Sequence, residues 1–276
     1  MTFRERLAAA DRIVGPLVLF IAFYVATLLL LMWLRFPFIQ WTGLACVSVA
    51  TALTVAICER GRWSLGLFVP PRLAIPECLL GVIWGLALIG GCALLVVLTT
   101  DVRHDPGLGF PWRELLTVFL PAAVHEELLF RGYAFQKLHR WNRAFAIYFV
   151  AVVFAALHTG NTAVTPLGLL NIFLGGVLLG LAYERYQRLW FPIGLHLAWN
   201  VMSGPILGHE VSGYDSMATV LVERGDGSAW LTGGEFGIEG SVWMTVTEVV
   251  AIVLLRIRWR RRTFDGPREE GMGYEA

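Results

Sequence analysis

Hydrophobic residues along this chain gather into long continuous runs rather than into the short alternation of half-buried strands and surface helices. Eight such runs, roughly 13–34, 38–58, 75–99, 114–136, 143–159, 166–183, 190–207 and 240–257, approach or exceed the about 20 helical residues that a bilayer core requires. Each predicts a membrane helix, because a helix pairs its own backbone groups where no water can. The expected fold is an all-α integral membrane protein, a bundle of about eight transmembrane helices. The first run follows Arg4, Arg6 and Arg12 as a signal peptide would, but it outlasts the about 7–15 apolar residues of such a signal. It ends at Trp33-Leu34-Arg35 without a small-residue cleavage site, so it is expected to remain as a membrane helix.

The basic side chains then set a direction. If the connections alternate sides, 17 of the 22 basic residues fall on the side of both termini and four (Arg35, Arg103, Arg113, Arg224) fall opposite. Basic loops stay inside, which makes both termini cytoplasmic. One basic residue, Arg131, remains within a run. Composition agrees: 57% hydrophobic, 16% charged and a mean hydropathy of +0.63 exclude a soluble domain. A net charge of +1 supplies no bulk field to hold nucleic acid. Cys46, Cys58, Cys78 and Cys92 lie in or beside apolar runs without CxxC spacing and read as small core or lipid-facing side chains.

This segmentation divides the chain into N-terminal helices (1–113), a four-helix segment that carries the chemistry (114–207), an acidic extracytoplasmic loop (208–239), an eighth helix (240–258) and a basic, disordered cytoplasmic tail (259–276). The loop holds six acids against one arginine and reads as a flexible connection, with a lid or substrate-docking role as the alternative. Arg260-Arg261-Arg262 reads as a headgroup anchor. No fixed-period repeat is present, which disfavours inverted-repeat transporters.

Ionisable groups at membrane depth are costly and point to function. The fourth run contains Glu126, Glu127 and Arg131. Glu127 and Arg131 stand four apart with the acid first, the favourable order for a helical ion pair. Glu126 points about 100° away and has no local partner, so it is the acid free to act as a base. Pro121 predicts a local break in the helix just before the acids. Phe154 and His158 share a face at the end of the fifth run, and His196 and Asn200 share one in the seventh. Peptide hydrolysis needs an activated water and donors for the oxyanion. Glu126 can deprotonate the water, His158 can orient it, and His196 with Asn200 can donate to the oxyanion. Two histidines and a carboxylate are also a zinc ligand set, so Glu126, His158 and His196 leave a zinc-dependent reaction open. The HExxH motif is excluded, because Leu129 stands where its second histidine belongs. Glu248, in the eighth run, reads as a structural acid facing the bundle.

Glu126-Glu127-x-x-x-Arg131, Phe154-x-x-x-His158 and His196-x-x-x-Asn200, in this order on separate runs, resemble the CAAX-protease and bacteriocin-processing (CPBP or Abi) family of intramembrane endopeptidases, relatives of the Ras-converting prenyl protease. The resemblance covers about residues 114–205. It implies an eight-helix membrane fold, cleavage of a membrane-associated protein or peptide, and Glu126, His158, His196 and Asn200 as catalytic positions, supported by Glu127 and Arg131. Family members are classed variously as glutamate-type or metal-dependent, so zinc stays open. A multi-pass protein of a bacterial inner membrane follows, with the lipid bilayer and a peptide substrate as partners and no nucleic acid. Two readings of other classes compete: a proton-coupled transporter using Glu126, Glu127 and His158 as a relay, and a non-catalytic immunity or binding protein.

Depth poses a problem. His158 lies about 22 Å beyond Arg143 at helical rise, but His196 only about 12 Å beyond Arg188. For both to meet Glu126, the 184–190 connection must dip inward or the fifth helix must start deeper or tilt.

Overall fold

The computed structural model describes residues 3–37, 39–211 and 214–259. The Arg260-Arg262 anchor and the tail to Ala276 lie outside the described residues, as do the side chains of Arg4 and Arg6. Each of the eight apolar runs contains helix. The first three form α1 (Phe3–Trp33), α2 (Ile39–Cys58) and α3 (Pro71–Thr99), followed by β1 (Arg103–Pro106). A helical stretch then passes from α4 (Trp112–Glu114) through a π turn (Leu115–Phe119) into α5 (Leu120–Phe130). Next come α6 (Tyr133–Trp141), α7 (Arg143–Leu157), α8 (Pro166–Tyr186) and α9 (Trp190–Val201), which continues as a second π turn (Met202–Ile206). β2 (Leu221–Arg224) pairs antiparallel with β1, Arg103 opposite Arg224 and Pro106 opposite Leu221. α10 (Ala229–Thr232), two 3-10 turns (Gly234–Phe236 and Ile238–Gly240) and α11 (Val242–Trp259) complete the described chain.

Four helical segments, Arg12–Trp33, Gln40–Cys58, Pro71–Thr99 and Pro166–Tyr186, are long and apolar enough to cross a membrane. α7 is apolar but shorter. The chain is therefore a mostly helical membrane protein. α1 buries only Phe20 among its described side chains and exposes Val14, Val18, Ile21 and Val25, as a lipid-facing helix does. α8 is central, buried continuously from Gly175 to Tyr183. It starts sharply, with Thr165 Oγ1 accepting the Gly168 N–H and Pro166 in the first turn, and it ends at Gln187 with φ 52°. The four cysteines are free, Cys46 and Cys92 buried among core residues and the other two partly so.

Pro121 does not break its helix. It cannot donate a backbone hydrogen bond, and the chain absorbs the missing donor as the π turn Leu115–Phe119 just before it. The break falls later: the predicted 114–136 run is two helices, divided at Arg131-Gly132. Arg131 leaves helical geometry at φ −128° and ψ −1°, with its guanidinium turned into the core. At Gly132 a Cβ would stand 2.0 Å from the Leu128 carbonyl oxygen, so only glycine fits the corner.

The 208–239 segment is not the flexible connection its composition suggests. Phe236, Ile238 and Glu239 are buried, and Asn171 of α8 donates to the carbonyls of Glu239 (2.7 Å) and Ser241 (2.9 Å). Its glycines permit tight folding: Gly233, at φ 93°, passes so near Gly237 that a Cβ would meet that carbonyl oxygen at 1.7 Å.

α3 and α9 pack backbone to backbone. A Cβ on Gly81 would lie 2.2 Å from the Phe191 carbonyl oxygen, one on Gly85 2.5 Å from that of Leu195, and one on Gly194 2.2 Å from that of Cys78. Gly81 and Gly85 form a GxxxG pair, whose missing side chains let helices approach where lipid offers no hydrophobic drive. Gly81→Val is expected to destabilise the protein by about 1–3 kcal/mol through overpacking. Ile83→Val on the same helix, at a position 60% exposed, is expected to change stability by less than about 0.5 kcal/mol. Thermal melting of both variants in detergent tests the contrast.

Candidate active site

α5 packs on both α2 and α9 and presents its two acids in different directions. Glu127 turns inward and is fully buried, whereas the Glu126 side chain keeps 26% exposure at a cleft. The inward acid is shared. Arg131 Nη1 donates to Glu127 Oε1 at 3.0 Å, and His196 Nδ1 lies 2.8 Å from the same oxygen. Arg131 Nη2 donates to the Gly176 carbonyl at 3.1 Å, joining α5 to α8. The expected i,i+4 pair is thus present, and its second partner comes from α9.

His196 faces both acids. With Nδ1 on Glu127, its Nε2 points toward Glu126 Oε2, 3.7 Å away. Asn200, one turn further, is buried and lines the same cleft. His158 caps the end of α7, its Nδ1 2.7 Å from the Phe154 carbonyl oxygen, and it too lines the cleft. Phe154 joins these groups: its ring centroid lies 4.5 Å from that of His158, 6.5 Å from that of His196 and 5.1 Å from the Arg131 guanidinium. The cleft, of about 230 Å³, therefore gathers Glu126, His158, His196 and Asn200. Glu127 and Arg131 lie behind it.

The α8–α9 connection is packed against the rest of the protein. Leu189 and Phe191 are fully buried, Arg188 is paired with Glu77 of α3, and Trp190 Nε1 donates to the Leu67 carbonyl at 3.0 Å.

Several residues of the cleft carry no motif in the sequence. Glu239, counted among the loop acids, lines it and accepts the indole N–H of Trp199. Asn161 brings a buried Nδ2 to it, and Val211 and Tyr214 close its side. Glu239 could have been noticed only by its nearness to the eighth run; Asn161 and Tyr214 give no signal. His125, which opens the abandoned HExxH reading, points away: its Nε2 is 3.1 Å from the Tyr24 hydroxyl of α1 and its ring covers Gly43. Glu248 is fully buried as expected, behind Gly175.

Glu126 and His196 face each other across the cleft, and His158 lines it with them. Among the described residues, the donor atoms that gather within 4.8 Å of one another are on His104, His209 and Glu223.

Neither a curated protein nor a solved structure matches the chain significantly. Residues 108–202 match the family described as type II CAAX prenyl endopeptidase, Rce1-like. That stretch includes Glu126, Glu127, Arg131, Phe154, His158, His196 and Asn200. Across residues 108–202, about a third of the chain, the sequence is similar to the Rce1-like CAAX prenyl endopeptidase family.

Proposed function

We propose that the protein is an intramembrane endopeptidase in which Glu126 activates the hydrolytic water. The observation that carries this reading is the asymmetry of the two adjacent acids: Glu127 is consumed by Arg131 and His196, while Glu126 opens to the cleft. Charge balance supports it. With Glu126 and Glu127 ionised and Arg131 and His196 protonated, the site is neutral. When Glu126 takes a proton from water, the negative charge moves onto the attacking oxygen and the total is unchanged.

The steps follow from the donors. A Nδ1–H of His158 donates to the Phe154 carbonyl, which leaves Nε2 as an acceptor to orient the water. Hydroxide attacks the peptide carbonyl carbon, and the oxyanion accepts from Asn200 Nδ2–H and His196 Nε2–H. Protonated Glu126 then returns its proton to the departing amine as the C–N bond breaks.

The substrate in this reading is a membrane-associated protein or peptide, and the family description suggests a prenylated one. The eight apolar helices read as eight spans with both termini cytoplasmic, supported by the distribution of basic residues. A bacterial inner membrane is the proposed location. The segments proposed as units are 1–113, 114–207, 208–239, 240–258 and 259–276, the 208–239 segment being extracytoplasmic.

Glu126→Gln is expected to leave a folded, membrane-inserted protein whose turnover falls by about 10³-fold. Cleavage of prenylated and unprenylated membrane-anchored peptides by the purified protein measures this, and full turnover by the variant rejects the role. Asn200→Ala is expected to lower kcat by about 10²-fold with little change in KM, since its donor meets the oxyanion rather than the bound peptide. Glu127→Gln should differ in kind: it strips a buried arginine of its counter-charge and is expected to destabilise the fold by about 3–5 kcal/mol. Detergent melting curves of Glu126→Gln and Glu127→Gln separate the two acids.

A further inference from the structure

Outside the helices, the β1–β2 ribbon carries a group of side chains that the proteolytic site does not use. His104 of β1 and Glu223 of β2 stand directly opposite each other in the register. His209, from the chain that leaves the second π turn, lies against them. Its Nδ1 is 3.4 Å from Glu223 Oε2, and its ring centroid is 6.1 Å from that of His104, nearly perpendicular. One donor atom from each of the three residues lies within 4.8 Å of the others. Two strands and the chain that follows the second π turn therefore converge on one point.

The polar atoms at that point are not satisfied by the protein. His104 Nε2, His209 Nε2 and Glu223 Oε2 are all buried without a hydrogen-bond partner, and His209 is only 7% exposed. Groups buried in this state are costly, and a cluster of them needs an explanation. A plain His–Glu ion pair does not supply one. The His209–Glu223 contact uses Nδ1 and leaves the Nε2 atoms of both histidines unmet. Two imidazoles and one carboxylate around a common point are a donor set that zinc takes.

The backbone is arranged to hold this approach. Gly208 has φ 81°, and a Cβ there would stand 2.6 Å from the Leu221 carbonyl oxygen, so the chain passes close against β2. The His209 N–H donates to the Ser203 carbonyl at 3.0 Å, fixing the residue to the second π turn.

We propose that His104, His209 and Glu223 form a structural zinc site, with water completing a tetrahedron, that fastens the β ribbon to the chain leaving α9. The site lies apart from the hydrolytic cleft, but two and five residues after His209 come Val211 and Tyr214, which close one side of that cleft. The ion thus sets the position of the cleft wall without taking part in the chemistry, and it stands whether or not the protein is a peptidase.

The test uses zinc alone on the full-length protein in detergent, stripped by chelation and titrated against a chromophoric competitor, with elemental analysis of the dialysed product. Wild type and the Glu126→Gln/His158→Ala double variant are both expected to bind one equivalent. At a hundredfold excess over Kd, zinc is expected to raise Tm by roughly 5 °C in each. His104→Gln and Glu223→Gln, at partly exposed positions on the ribbon, should weaken binding at least about tenfold, and His209→Gln should abolish it with the Tm shift. Absence of bound zinc in wild type overturns the proposal. So does zinc retained undiminished by His104→Gln and Glu223→Gln, or zinc lost from the Glu126→Gln/His158→Ala protein, which would assign the ion to the cleft. Should His209→Gln fail to fold, the two ribbon variants decide the matter.

Discussion

The Glu127 carboxylate is the fixed point of the molecule. It has no exposure, and one oxygen serves both Arg131 and His196. A lone carboxylate in such a place would be prohibitive, and so would a lone guanidinium; each is tolerable only because the other is there. The arrangement ties three helices through charged or strongly polar contacts: α5 supplies the acid, α9 the imidazole, and α8 accepts the arginine's second bond at Gly176. α7 joins through Phe154, whose ring meets the guanidinium and both histidines. With Glu127 so engaged, its neighbour Glu126 is the acid of the pair that faces the cleft.

Such contacts require backbones at close range, and the glycines provide it. Gly176 both accepts from Arg131 and lies against Ala151 of α7, where a Cβ would have 3.0 Å of space. Gly81, Gly85 and Gly194 bring α9 onto α3. In a bilayer the apolar side chains gain little by leaving lipid, so association rests on dense packing and on polar contacts between helices. Here the two act together. α9 carries His196 and Asn200 toward α5 while its other face is pressed against α3, and the contact geometry fixes the height of the histidine.

Much of this was legible in the sequence because its causes are local. Apolar run length predicts a helix wherever the structure has one of the eight, and four-residue spacing predicts the Glu127–Arg131 pair. What was not legible depends on distance along the chain. His196 is 69 residues from Glu127, and no pattern within either helix reports their contact. The corner at Gly132 hides in an apolar run because hydropathy cannot sense a clash with the Leu128 carbonyl. Glycine content made 208–239 look flexible, when several of those glycines are needed for chain passages too tight for a side chain. His104, His209 and Glu223 share no spacing motif, because strand register pairs two of them and the chain after the second π turn brings the third.

The segment after α9 has consequences at both ends. Near its start, His209 sits on the ribbon and Val211 and Tyr214 border the cleft; at its end, Glu239 reaches the same cleft and takes the Trp199 indole N–H. Asn171 binds the turn at Glu239 and Ser241 to α8, so this end is anchored by hydrogen bonds from a central helix. The other end is held by the ribbon and by the bond from His209 N–H to Ser203. Val211, Tyr214 and Glu239 of this segment border the cleft, while the Glu127 contacts are made by α5, α8 and α9. The Glu127 contacts are therefore held by the bundle, and one side of the neighbouring cleft is formed by the segment that follows α9.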